Sequence, residues 1–286
     1  MKNTIILPID VFNPSEELLR YGIYTAKNLG EKLLLFNAHF ETVKDHVLPG
    51  STAIKYVEDT KSAEEAKQRL ESIYETISEE WHATKMKIVT DSIPNWQGHK
   101  ESYLLDEIED DAPTMIIIAI KNDFNLINEL LGTPETKLAE EADCPVLLLP
   151  EGTKYQEITT INYLLERYKP ITEVIEELSF LIYLTSNYDI SPAISLIYYF
   201  GDNKESAEKE LAFKKSIILS ELTYDKFVFE NYSDKDVDTV IHENIKKSAT
   251  GIFAFPSRDK SFIERLTSND NTKRLILKSS IPVLVF

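Results

Sequence analysis

The sequence predicts an α/β protein of two similar halves, each a parallel β-sheet covered by helices on both faces. Three observations carry this. Strand-like and helix-like segments alternate along the chain, which implies parallel strands joined by helical crossovers. A strand–loop–helix–Pro–strand unit occurs twice, with Pro145 and Pro282 separated by 137 residues (282 − 145). The runs Met115–Ala119 and Val146–Leu149 are apolar without alternation, as in strands buried on both faces.

In order, Ile5–Asp10 is expected as the first strand, ending in a carboxylate. Asn13 is expected to cap the next helix, with Pro14 in its first position and Glu16 at the acid of a capping box. Leu19, Ile23, Ala26 and Leu29 form its apolar stripe, and Gly30 stops it. Lys32–His39 reads as the second strand. Glu41–Lys61 contains Pro49, Gly50 and Ser51 and reads as a long excursion, either a lid or arm beside a pocket or an ordinary surface loop. A helix over Ser62–Trp81, a strand over Lys85–Thr90 and a helix over Gly98–Asp110 follow. Met115–Ala119, a helix from Thr133 to about Ala142, and Val146–Leu149 complete the first half.

Glu151–Gln156 reads as a linker. The order then repeats: strand Ile158–Leu164, helix Ile171–Asn187, strand Ala193–Phe200, helix Asn203–Leu222, strand Lys226–Asn231 and helix Val237–Ala249. Strand Gly251–Phe255, helix Asn271–Ser279 and strand Val283–Phe286 close the chain. The expected domains are 1–150, with an insertion near 41–61, and 157–286.

The net charge is −17. Residues 1–150 carry 14 Lys+Arg and 27 Asp+Glu (14 − 27 = −13), and residues 151–286 carry 17 and 21 (17 − 21 = −4). Such a surface opposes nucleic-acid and anionic-membrane binding, both of which need neutralisation of phosphates. No apolar run is long enough for a membrane span, and the N-terminal run is too short for a signal peptide. The single cysteine, Cys144, excludes an intrachain disulfide and is expected to be buried and inert. The expected location is the cytoplasm.

The five histidines, His39, His46, His82, His99 and His242, show no metal-binding spacing. No nucleophile elbow or kinase signature occurs. The acidic run Asp106, Glu107, Glu109, Asp110, Asp111 reads as a solvated helix end. Glu64–Glu65, Glu79–Glu80 and Glu140–Glu141 read as helix surface, and Trp81 and Trp96 as packing residues. No catalytic constellation emerges, so no enzyme activity is expected. Gly132 and Thr133 sit where a helix N-terminus offers free N–H groups and the positive end of its dipole to an anion such as phosphate. The alternative is an ordinary capped helix.

With these pieces placed, the chain resembles a tandem universal stress protein, of the universal stress protein A superfamily. The resemblance rests on IILPID near the start, on the endings DCPVLLLP and SSIPVLVF, and on FIERL and TKRL (Phe262–Leu266 and Thr272–Leu275) before the second ending. It implies two tandem flavodoxin-like domains of the adenine nucleotide alpha hydrolase-like type, each a five-stranded parallel sheet ordered 3-2-1-4-5. It also implies that the two halves imitate a family dimer through Val146–Leu149 and Val283–Phe286, with a further homodimer open.

Many members of that family bind ATP through an acid after strand 1 and the pattern G-x-x-G-x9-G-[ST] after strand 4. Asp10, preceded by Ile9, matches the acid, and Ala38 matches a position whose backbone meets adenine. Ala119 and Asn122 replace the first two glycines, whereas Gly132 and Thr133 keep the last pair. The resemblance therefore implies a degenerate site for ATP or another adenine nucleotide, with Mg²⁺, in the first half. In the second half the matching positions are Glu166, Pro256, Asp259, Asn269 and Asp270. Two carboxylates would lie where phosphates belong, so no nucleotide is expected there. The alternative function is a stress-response scaffold or regulatory interaction module without nucleotide.

Overall fold

A computed structural model of the chain describes residues 2–9, 14–40, 60–81, 86–93, 113–120, 142, 144–150, 152–188, 190–199, 204–232, 237–247, 251–255 and 281–286. The expected helices Gly98–Asp110 and Asn271–Ser279 lie outside the described residues, as does the helix expected from Thr133 except for its last residue, Ala142, which is buried and not helical. The chain forms two compact units, Met1–Ile116 and Ile117–Phe286.

In the first unit, β1 (Lys2–Pro8) lies between two parallel neighbours, β2 (Lys32–Phe40) and β4 (Pro113–Ile120). β2 pairs in parallel with β3 (Met86–Ile93). Ile5, Leu7, Leu33 and Leu35 share one face and are fully buried beneath α1 (Glu16–Leu29). Gly22 permits the close approach of that helix, because a Cβ there would stand 2.8 Å from Leu7 Cδ2 and 3.3 Å from Leu33 Cδ1. Met115, Ile116 and Ile117 are fully buried, in keeping with the unbroken apolar run.

Several boundaries differ from expectation; β1, for one, runs Lys2–Pro8 rather than Ile5–Asp10, and two others differ for local reasons. The N-cap of α1 is Ser15, not Asn13: its Oγ accepts from the Leu18 N–H at 3.3 Å, and Glu16 and Glu17 fall in the first turn, against the positive end of the dipole. Gly30 ends the helix as expected, at φ 68°, and its N–H and that of Glu31 return to the carbonyls of Lys27 and Ala26. Thr60 and Lys61 belong to α2 (Thr60–Trp81) rather than to the excursion, whose other residues lie outside those described.

In the second unit, β6 (Thr160–Leu165) lies between parallel β7 (Ala193–Tyr199) and β9 (Gly251–Phe255). β7 pairs with β8 (Phe227–Tyr232) and β9 with β10 (Val283–Val285), both in parallel. β5 (Val146–Pro150) pairs with β10 in the opposite sense, Leu147 opposite Leu284. The result is an α/β fold with a mixed sheet.

Register shows which helix covers which face. Tyr163, Leu196 and Phe229 are consecutive partners and share a face. On it lie α3 (Ile171–Leu184), whose Glu177 meets Tyr163, and α4 (Lys204–Glu221), whose Lys215 stands over the Phe229 ring. Ser195, Glu230 and Tyr232 project from the other face. There α5 (Val237–Lys247) sends Asn244 to the Tyr232 hydroxyl at 3.1 Å. Helix α3 stops at Leu184, three residues short of expectation, because the Thr185 and Ser186 hydroxyls take the carbonyls of Ile182 and Tyr183. No helix among the described residues is long and apolar enough to cross a membrane.

Candidate functional site

The first candidate site is the carboxyl edge of β1. In open α/β sheets the chain leaves this edge in opposite directions on either side of one strand, and the divergence opens a crevice. The chain passes from β1 to β2 and β3 on one side and returns to β4 on the other. Ile6 pairs with both Leu34 and Ile116, so the three strands run level towards that edge.

Ile9 directly follows β1 and is buried. Ala38 is on the last turn-ward stretch of β2, opposite Asp91 of β3. Ala119 is half-buried, one residue before the end of β4. Within the first unit, Ile9 and Ala38 fall at or near strand ends of the same polarity. Asp10, Asn122, Gly132 and Thr133 lie outside the described residues, as do Pro256, Asp259, Asn269 and Asp270 of the second half. Among the described residues, no group of three or more His, Cys, Asp or Glu side chains could hold a metal ion. Cys144 is buried.

The second candidate site is the matching edge of β6. Glu166 directly follows the strand and opens a loop that reaches α3 at Ile171. Here the structure adds residues that sequence reasoning missed. Lys214 of α4 is 5% exposed, and its ammonium donates to the carbonyls of Glu166, Arg167 and Lys169 at 2.7, 2.5 and 3.3 Å. Burial pushes the Lys214 ammonium towards losing its proton, and the Glu210 carboxylate, 3.6 Å away, opposes this. Glu210 also accepts from Arg167 Nε at 3.1 Å. Burial pushes the nearby Tyr198 hydroxyl up to about 12.

Beneath the loop, Glu177 accepts from the Tyr163 hydroxyl at 2.5 Å and from Lys169. Burial raises the Glu177 carboxyl to about 7, although Lys169 and Tyr163 pull it down. Burial and the Glu177 charge hold Tyr163 well above the ordinary phenol range. One signal for Lys214 was present in the sequence. Ala207, Leu211, Lys214 and Ile218 form a helical stripe, and a lysine on a buried stripe needs acceptors.

No curated protein matches the sequence. The fold is similar to that of a universal stress protein from Archaeoglobus fulgidus DSM 4304, at 14% identity and a TM-score of 0.66, over 99% of this chain and 96% of that one. It is also similar to a functionally unknown protein from Pseudomonas aeruginosa PAO1, at 16% identity and a TM-score of 0.60, over 99% of this chain and 92% of that one. Residues 1–150, more than half of the 286, match the universal stress protein family. The chain belongs to the universal stress protein family.

Proposed function

We propose that the protein is a cytoplasmic stress-response protein that acts by binding rather than by catalysis. Its ligand is an adenine nucleotide, with Mg²⁺ as counter-ion, held at the carboxyl edge of β1 in the first half. The observation that carries this reading is the position of β1 between parallel β2 and β4, which makes its carboxyl end the divergence point of that sheet. Ile9, Ala38 and Ala119 fall at that edge, and Asp10, Asn122, Gly132 and Thr133 follow in sequence from its strands. In this reading Gly132 and Thr133 supply a helix terminus to the phosphates. Asn122 keeps the turn that glycine makes elsewhere, since asparagine tolerates positive φ better than other side chains.

The two halves, 1–150 and 157–286, are read as flavodoxin-like repeats forming an intrachain pair. The antiparallel pairing of β5 with β10, the closing strands of the repeats, supports this. The second half is read as holding no nucleotide.

The test is calorimetric titration with ATP and Mg²⁺ of the full chain and of a Gly132→Asp variant, at two temperatures. Saturable heat at one site per chain, lost in the variant, is the expected result. No heat at either temperature would leave the alternative, a scaffold or regulatory module that works through protein partners.

A further inference from the structure

The edge of β6 has the same geometry as the edge of β1: a strand between two parallel neighbours, followed by a loop into a helix. A helix N-terminus next to such an edge ordinarily attracts an anion. In this unit a cation is already there. An ammonium has three protons to donate, and those of Lys214 are matched by the carbonyls of Glu166, Arg167 and Lys169. The side chain is buried, so a ligand arriving from solvent does not reach its ammonium. Glu210 balances the charge and draws Arg167 onto the same helix. Pro170, the N-cap of α3, makes no side-chain bond to that helix.

We propose that Lys214 is a built-in occupant of the second unit's ligand edge: its ammonium pins the loop after β6 by holding three of its carbonyls, which leaves that loop unavailable to a ligand. This deepens the reading above by giving a physical reason why only one half binds. It rests on that reading for the identity of the edge, but not for the lock itself.

Lysine suits the task and arginine does not. A compact ammonium can direct its donors at three converging carbonyls, whereas a planar guanidinium presents a fixed fork. A residue that merely filled space could be replaced by methionine, which has similar length and no donor. Removing the ammonium leaves three carbonyls without their donor, and the loop must open to water to satisfy them.

The test is hydrogen exchange of the full chain, comparing the wild type with Lys214→Met and Lys214→Arg. Exchange across Glu166–Lys169 is expected to be at least about tenfold faster in Lys214→Met, with β1 and β2 unchanged. Lys214→Arg keeps the charge and the fold but not the donor geometry, and is expected to loosen the same loop. Wild-type exchange in this loop in either folded variant would overturn the proposal. No nucleotide is present in the experiment, so its failure would leave the first-half binding reading untouched.

Discussion

Tyr163 on β6 donates its hydroxyl to Glu177 on α3 at 2.5 Å, across the interior of the second unit. Lys169 donates to the other carboxylate oxygen, and Glu173 stands 3.7 Å from the same ammonium. Burial nevertheless dominates and lifts the Glu177 carboxyl from 4.5 to about 7. A carboxyl raised on folding binds its proton more tightly in the folded state. Its contribution to stability is therefore fully present below pH 4.5 and is lost as the pH rises through 7. From this group alone, stability falls with pH in that window by at most about 1.4 kcal/mol per pH unit. Urea unfolding at several values between pH 5 and 8 should show a slope that flattens in Glu177→Gln. Identical slopes in the two proteins would sink the idea.

The buried carboxylate of Glu31, just after α1, accepts from the Thr114 hydroxyl at 2.9 Å, 83 residues later in the chain. Removing the donor leaves a buried acceptor poorly satisfied, whereas removing both groups does not. Thr114→Val is expected to cost about 1–3 kcal/mol. The double variant Thr114→Val with Glu31→Leu should recover part of that loss. A double variant showing the sum of the two single losses would mean that the pair is not coupled.

Gly22 marks where α1 lies closest to the sheet. Alanine there would gain helix propensity but would press on Leu7, two opposing effects of about 1 kcal/mol each. Valine adds more volume and a stiff χ1 angle, so crowding should win. Gly22→Val is expected to destabilise the first unit by about 1–3 kcal/mol in chemical denaturation. A thermal midpoint at or above that of the wild type would show that Leu7 yields more easily than its full burial suggests.

Local features of this fold were legible because their causes are local. The stop at Gly30 follows from a left-handed residue after an apolar stripe. Pro145 and Pro282 each directly precede a buried strand. The cap of α1 lies two residues beyond Asn13 because Asn13 and Ser15 are both good cap residues, and only the path of the chain chooses between them. At the first candidate edge, the apolar runs of β1, β2 and β4 show in sequence roughly where those strands lie, so Ile9, Ala38 and Ala119 fall at or near strand ends. At the second, the lysine on the stripe was visible in sequence, but its partners were not. They are backbone carbonyls 45 to 48 residues earlier, and a carbonyl leaves no mark on residue identity.

The sequence by itself determined the alternation of strands and helices and the burial of β5 and most of β4. These depend on side-chain polarity and periodicity, which each segment carries alone. Only the tertiary structure decided that β5 meets β10 in the opposite sense, that Lys214 is spent on a loop, and that Glu177 titrates near neutrality. Pairing, donor geometry and desolvation are set by groups remote in the chain, and they exist only once those groups meet.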